Sequence, residues 1–376
     1  MYIINLIMVV FLTSCNKEEN LKPILKEILY TMPEESEPHE GTWLQWPHQF
    51  QYGKAYRNGL DPTWVAITTA LVDGENVHIV AYNSNEQNRI ISLLKDAKVD
   101  LTKVDFRIYK TDDVWVRDNG PIYTRDKNWK LVIQDWGFNG WGQKKDELSG
   151  RPIGFKNCDK IPAKIASDLN IPLVDINSIM INEGGAVEID GHGTLMACKS
   201  SILNENRNPG MSQKRAEEIF KAYLGVTNVI WLDGQAGLEL TDQHIDGFAR
   251  FGNSETIVTM NNNDLLNYDV QQSDIDKLYS AKNKDGKAYT FLRLPLTEKT
   301  VLTSKGKDLG YKGSYVNYYI ANTKVLVPNY NDKNDEKANA IIQSLYPNRT
   351  VVGIDVRNLY ENGGMIHCVT QQQPLE

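Results

Sequence analysis

Apolar and polar positions alternate in short runs along most of this chain, and the period of each run predicts an element. Asn76 to Tyr82 reads as a strand and Glu86 to Lys98 as an amphipathic helix. Phe106 to Tyr109 is again strand-like. Pro121 to Tyr123 and Leu131 to Asp135 form the arms of a hairpin around Asp126-Lys127-Asn128. A second hairpin is predicted where Ala186 to Ile189 and Thr194 to Ala197 flank Asp190-Gly191-His192-Gly193. Ser212 can cap a helix that stops at Gly225, with Ala216, Ile219, Phe220, Tyr223 and Leu224 at helical spacing. Strands follow at Asn228 to Leu232, Thr256 to Met260, Tyr289 to Leu292 and Val325 to Pro328. A helix from Glu336 to Leu345 leads into a strand at Val351 to Val356. The pattern is α/β, built from many short units. Glu183-Gly184-Gly185 and Asn362-Gly363-Gly364 each precede an apolar strand, the second with Cys368 at its end, a weak sign of an internal repeat.

The N-terminus breaks this pattern. Tyr2 to Leu12 is an apolar run interrupted only by Asn5. It is too short to span a bilayer as a helix and has the length of a signal-peptide core. Leu12-Thr13-Ser14-Cys15 resembles the lipobox of bacterial lipoproteins, which implies that Cys15 is the lipidated first residue of the mature chain. No Lys or Arg precedes the run, where a signal peptide normally carries one. We therefore divide the chain into a signal peptide at 1–14, a tether at 15–27 and one domain at 28–376. The expected location is the bacterial cell envelope, held by a lipid anchor; without a genuine signal it is cytoplasmic.

Composition narrows the function. At 41% hydrophobic and 24% charged residues, the chain can bury a sizeable core. A net charge of −7 disfavours nucleic acid, which wants a basic face. The four cysteines form no CxxC, and the six histidines no HExxH, so neither pattern supports a metal site.

Four segments carry chemistry. Cys368 follows Gly363-Gly364-Met365-Ile366-His367, and glycines let a ligand approach a thiol closely. Cysteine is also a common core residue, so this alone leaves a structural thiol open. On an extended segment Asp242, His244 and Asp246 would share one face, and His367 would point behind Cys368. Carboxylates beside His244 would keep it protonated, and a nearby imidazolium favours a thiolate. Trp115 beside Asp118 suits a guanidinium, with the ring covering the cation and the carboxylate taking its N–H groups. Glu183, at a strand start next to Gly184-Gly185, can point inward and orient a histidine.

These segments, in this order, resemble the agmatine deiminase and bacterial peptidylarginine deiminase family of the guanidino-group-modifying penteins. The match includes Met32-Pro33-Glu34, Glu37-Pro38-His39-Glu40, Thr42-Trp43-Leu44-Gln45-Trp46-Pro47 and Trp115-Val116-Arg117-Asp118. It continues through Leu203-Asn204-Glu205-Asn206-Arg207-Asn208-Pro209, His244-Ile245-Asp246, Ser314-Tyr315-Val316-Asn317-Tyr318-Tyr319 and His367-Cys368-Val369-Thr370-Gln371-Gln372. The resemblance implies a five-bladed pentein α/β propeller with a central active site and no cofactor. It implies Cys368 as nucleophile, His244 as acid/base and Glu183 as its orienting partner. Asp118 and Asp246 would grip the guanidinium, with Trp115 and Asn317 lining the site. The family often dimerises, which makes a homodimer the expected assembly.

The implied reaction is hydrolytic deimination of a small cationic guanidino compound through an amidino-cysteine intermediate. Peptidylarginine deiminases of bacteria carry an arginine pair where this chain has Phe138-Asn139-Gly140-Trp141-Gly142-Gln143. Agmatine is therefore the preferred substrate, giving N-carbamoylputrescine and ammonia. Gln243 stands where agmatine deiminases usually have glycine. Deimination of arginine on exported proteins is the alternative. Two further readings are a non-catalytic surface lipoprotein that binds cations and a cysteine peptidase using Cys368, His244 and Asn317.

Overall fold

Two aspartates show how the sheets are seeded. Asp126 accepts hydrogen bonds from the backbone N–H groups of Asn128 at 2.8 Å and Lys130 at 2.9 Å. This turn folds Ile122–Arg125 back on Leu131–Asp135 as an antiparallel pair. Asp190 does the same for His192 and Thr194, at 2.8 and 2.9 Å, and pairs Val187–Ile189 with Thr194–Cys198. The intervening Gly191 and Gly193 have φ of 70° and 99°, which side chains resist.

A helix then returns the chain to a third, parallel strand. Ile161–Leu169 leads to Leu173–Asp175, which pairs with Leu131–Asp135. Gln213–Leu224 leads to Asn228–Leu232, which pairs with Thr194–Cys198. Ser212 caps the second helix by accepting from Arg215 N at 3.2 Å, and Gly225 ends it at φ 78°. Ala216, Ile219, Phe220 and Leu224 are buried against Leu195 and Ala197 of the sheet, whereas Tyr223 is only partly covered.

The same three-strand order recurs in Arg250–Asn253, Thr256–Met260 and Thr290–Leu294. It recurs again in Tyr319–Ile320, Lys324–Asn329 and Thr350–Asp355. The first sheet has three parallel strands, His39–Gln45, Asn76–Ala81 and Val104–Ile108. Its antiparallel partner is Gln371–Pro374, the last strand of the chain. The C-terminus thus completes the first sheet. Among the described residues, an antiparallel pair extended by a parallel strand occurs in five sheets, four of three strands and the first of four. A sixth sheet is a hairpin, Leu296–Leu302 with Asp308–Ser314.

The computed structural model describes residues 27–145, 150 and 152–376. The signal-like run and Cys15 lie outside these residues. Among the described residues, no helix is long and apolar enough to cross a membrane. The longest helix, Gln49–Leu71, was not foreseen: Tyr52-Gly53 interrupts it, with Gly53 at φ 85°. The fold is mixed α/β, as expected from the periodicity.

Candidate active site

Short segments ahead of the repeated sheets carry the polar residues singled out above. Val116–Asn119 is one helical turn before Ile122–Arg125, and Gly184–Ala186 is a 3₁₀ turn before Val187–Ile189. Ile245–Gly247 precedes Arg250–Asn253, and His367–Val369 precedes Gln371–Pro374. Asn317 lies just before Tyr319–Ile320. Residues from distant parts of the chain therefore occupy equivalent places in successive units.

Gly185 marks their meeting point. A Cβ built on Gly185 would stand 2.8 Å from His244 Nδ1, 2.9 Å from Asp118 Oδ1 and 3.0 Å from Asp246 Oδ2. No side chain fits there, so glycine is what allows an imidazole and two carboxylates to converge. The Gly185 N–H also donates to Asp118 Oδ1 at 3.2 Å. His244 lies between acids, with Nε2 2.8 Å from Glu183 Oε2 and Nδ1 3.6 Å from Asp118 Oδ1.

Cys368 borders the same group. Its sulfur lies 3.5 Å from Asn317 Oδ1 and 4.0 Å from Asp246 Oδ2. Asn317 ties the two loops together: Nδ2 donates to the Asp246 carbonyl at 3.2 Å, and Oδ1 accepts the His367 N–H at 3.0 Å. The thiol is half-buried, whereas Asp118, Glu183, His244, Asp246 and Asn317 are buried. Trp115 is buried too, and a Cβ on Gly364 would come within 2.2 Å of its ring.

Three local expectations need correction. Cys368 sits on a 3₁₀ turn, not on a strand, and it and His367 both reach Asp246 Oδ2. Asp242, His244 and Asp246 do not share an extended face. Asp242 and Gln243 have φ of 60° and 70°, and a 3₁₀ turn follows His244. This backbone turns Asp242 away from Asp246, and it pairs with Lys144 and Arg207 instead. Glu183 likewise precedes a 3₁₀ turn rather than starting a strand.

Burial and charge set the proton affinities. Burial opposes a charge on His244, but Asp118, Glu183 and Asp246 outweigh it and lift the imidazole to about 9. Burial pushes Asp118 up to about 6; Asp246 and Glu183 add to the rise, while His244 opposes it. Burial would also raise Asp246 and Glu183. His367 outweighs it at the first, and Arg207 with His244 at the second, so both carboxyls stay below their usual range. The Cys368 thiol is held well above its ordinary value by burial and then by Asp246 and Asp118. These shifts leave His244 an imidazolium and Cys368 a neutral thiol at neutral pH.

Several supporting residues were not identified from the sequence. Trp141 Nε1 donates to Asp118 Oδ2 at 2.9 Å. Arg207 holds Glu183 through Nε at 2.8 Å and Nη2 at 3.3 Å. His367 Nδ1 is 2.7 Å from Asp246 Oδ2, and its Nε2 is 2.8 Å from Glu35 Oε2. Arg117 and Arg250 also reach Glu35 Oε2, at 3.2 and 3.0 Å. Arg207 stands in a segment already noted for its family resemblance, but nothing local in that segment reveals its partner.

Comparison with known proteins gives the class. Residues 31–374 match the model of the Porphyromonas-type peptidyl-arginine deiminase family. The chain is 29% identical over 364 residues to an agmatine deiminase of Pseudomonas aeruginosa, spanning 92% of this chain and 95% of that one. It is similar to the solved agmatine deiminase of Enterococcus faecalis, with a TM-score of 0.78, 26% identity and coverage of 92% and 96%. It is also similar to a putative arginine deiminase of Porphyromonas gingivalis, with a TM-score of 0.77, 29% identity and coverage of 92% and 98%. The protein is an enzyme of the deiminase type, a hydrolase acting on a guanidino C–N bond. It belongs to the Porphyromonas-type peptidyl-arginine deiminase family.

Proposed function

We propose that this enzyme deiminates agmatine, with water, to N-carbamoylputrescine and ammonia through a covalent intermediate on Cys368. The observation that carries this reading is the convergence of His244, Asp118 and Asp246 on the space beside Gly185, next to the Cys368 sulfur. Two buried carboxylates need a cation, and a planar guanidinium can donate N–H groups to both.

Substrate charge would then set off the chemistry. Burial, and then Asp246 and Asp118, hold the thiol neutral, and a guanidinium between the two acids offsets their part of that effect. The thiol gives its proton to solvent water, since His244 is already protonated, and the thiolate attacks the central guanidinium carbon. His244, charged at neutral pH, donates a proton to the departing nitrogen, which leaves as ammonia. An amidino group remains bonded to sulfur. Neutral His244 next takes a proton from water as its oxygen adds to that carbon. Collapse moves the remaining hydroxyl proton onto the departing Cys368 sulfur, which restores the thiol and leaves the neutral ureido product. Glu183 and Arg207 keep the imidazole oriented, and Trp115 and Asn317 line the site.

The choice of agmatine rests on the absence of an arginine in Phe138–Gln143, where a substrate carboxylate would need one. The family model supports a second reading, peptidyl arginine. Ammonia release from agmatine, free arginine and a peptide ending in arginine separates the two. Turnover on agmatine at least about tenfold above the others is expected, and preference for either carboxylate substrate overturns the assignment. Cys368→Ala should abolish ammonia release in a folded protein; retained turnover refutes the nucleophile.

The repeated strand order and the C-terminal strand in the first sheet support a reading as a five-bladed pentein propeller. We also propose that Cys15 carries a lipid anchor at the cell envelope, on the strength of the run before it.

A further inference from the structure

One surface cation is linked to both sides of the reaction site. Lys144 Nζ lies 2.7 Å from Asp242 Oδ1 and 2.6 Å from the Glu239 carbonyl. The other oxygen of Asp242 pairs with Arg207 Nη1 and accepts from Asn206 Nδ2 at 3.3 Å. Arg207 holds Glu183, Glu183 holds His244, and His244 faces Asp118. Charges alternate in sign along this whole path. It runs from Lys144, 21% exposed in its side chain, to groups that are almost completely buried.

The backbone closes the path into a ring. Lys144 ends a strap whose other end, Trp141, donates to Asp118. Gly140, Trp141, Gly142 and Gln143 all have positive φ, at 68°, 53°, 82° and 57°. For the two non-glycine residues this is a conformation that needs outside support. The strap lies directly on Asn206-Arg207. A Cβ on Gly142 would come within 2.4 Å of the Asn206 amide and 2.8 Å of Arg207 Nη1. Asn139 adds a bond from Nδ2 to the Asn206 carbonyl at 2.9 Å.

We propose that Lys144 is a positioning residue of the deimination site. Its ammonium latches the Trp141–Lys144 strap onto Asp242, fixing Asp118 through Trp141 and His244 through Arg207 and Glu183. This inference rests on the proposed reaction for its kinetic consequence but not for its effect on the imidazole. Without Lys144, Asp242 competes harder for Arg207. Glu183 is then less neutralised, and the imidazole it holds gains proton affinity. Trp141 loses the far anchor of a strained strap, and Asp118 loses definition.

The test compares Lys144→Met, which keeps the stem without the charge, with Lys144→Arg, which keeps the charge. Lys144→Met is expected to lower kcat by roughly tenfold, the worth of one charged hydrogen bond, with KM changed less than about twofold. The His244 titration is followed by NMR in a Cys368→Ala background, where no turnover is needed. The groups facing this imidazole are Asp118, Glu183 and Asp246. Lys144→Met should move the titration upward by at least about half a pH unit, and Lys144→Arg should leave it and kcat near wild type. An unmoved titration in Lys144→Met overturns the proposal. So does equal loss of kcat in both variants, which would mean that Lys144 only fills space. If the wild type deiminates no guanidine but the titration still moves, the proposed reaction fails while the latch stands.

Discussion

His367 Nδ1 lies 2.7 Å from Asp246 Oδ2, and the next residue, Cys368, places its sulfur 4.0 Å from the same oxygen. One step of chain therefore supplies both the proposed nucleophile and the group that fixes a carboxylate beside it. Both residues lie on one 3₁₀ turn, His367–Val369.

His367→Phe removes a partner from both Asp246 and Glu35, each buried. Leaving buried charges uncompensated costs about 3–5 kcal/mol. Urea unfolding of the variant should show a loss of that size. A loss below about 1 kcal/mol would mean that Arg117 and Arg250 suffice for Glu35 and that Asp246 can rehydrate.

Gly185→Ala puts a methyl group where three functional groups converge. Overpacking of this kind costs about 1–3 kcal/mol, which the fold should survive. Displacing the reacting groups by a fraction of an ångström should reduce kcat/KM at least about 100-fold. A folded Gly185→Ala enzyme with near wild-type kcat/KM would remove Gly185 from the account.

His244 gives stability a pH dependence. Its imidazole rises from an ordinary 6.5 to about 9 in the folded protein. The folded state thus holds this proton more tightly than the unfolded chain. The stabilisation is complete below about 6.5 and disappears as pH rises through about 9. The Tm advantage of wild type over His244→Gln should therefore be larger near pH 6 than near pH 9.5. A constant difference across that range would show that the imidazole is not charged in the fold.

The Cys368 thiol is neutral at neutral pH, because burial and two acids resist a thiolate. A cationic alkylating agent that occupies the guanidinium position should relieve this. Chloroacetamidine is expected to label Cys368 at least about tenfold faster than neutral chloroacetamide at neutral pH. Asp118→Asn should erase the preference. Equal rates for both reagents in wild type would argue against a cation site between the acids.

Much of the fold was readable locally. Hairpins at Asp126 and Asp190 and the helix from Ser212 to Gly225 depend on turn and cap chemistry within a few residues. The candidate groups Cys368, His244, Glu183, Asp118 and Asp246 were also named from motifs. Their supports were not. Arg207 reaches Glu183 across 24 positions, and Trp141 reaches Asp118 across 23. His367 reaches Glu35 across 332. No local period encodes such pairs.

Sequence by itself determined the α/β alternation and the local turns. These follow from short-range sterics and hydrogen bonding, which a few neighbouring residues settle. Only the tertiary structure decided which of those residues meet. It brought His244, Asp118 and Asp246 around a glycine, turned Asp242 away to Arg207 and Lys144, and set His367 behind Asp246. The physical reason is that a buried charge must find its counter-charge in space. Here the partners come from separate units, as when His367, just before the last strand, meets Asp246 and Glu35.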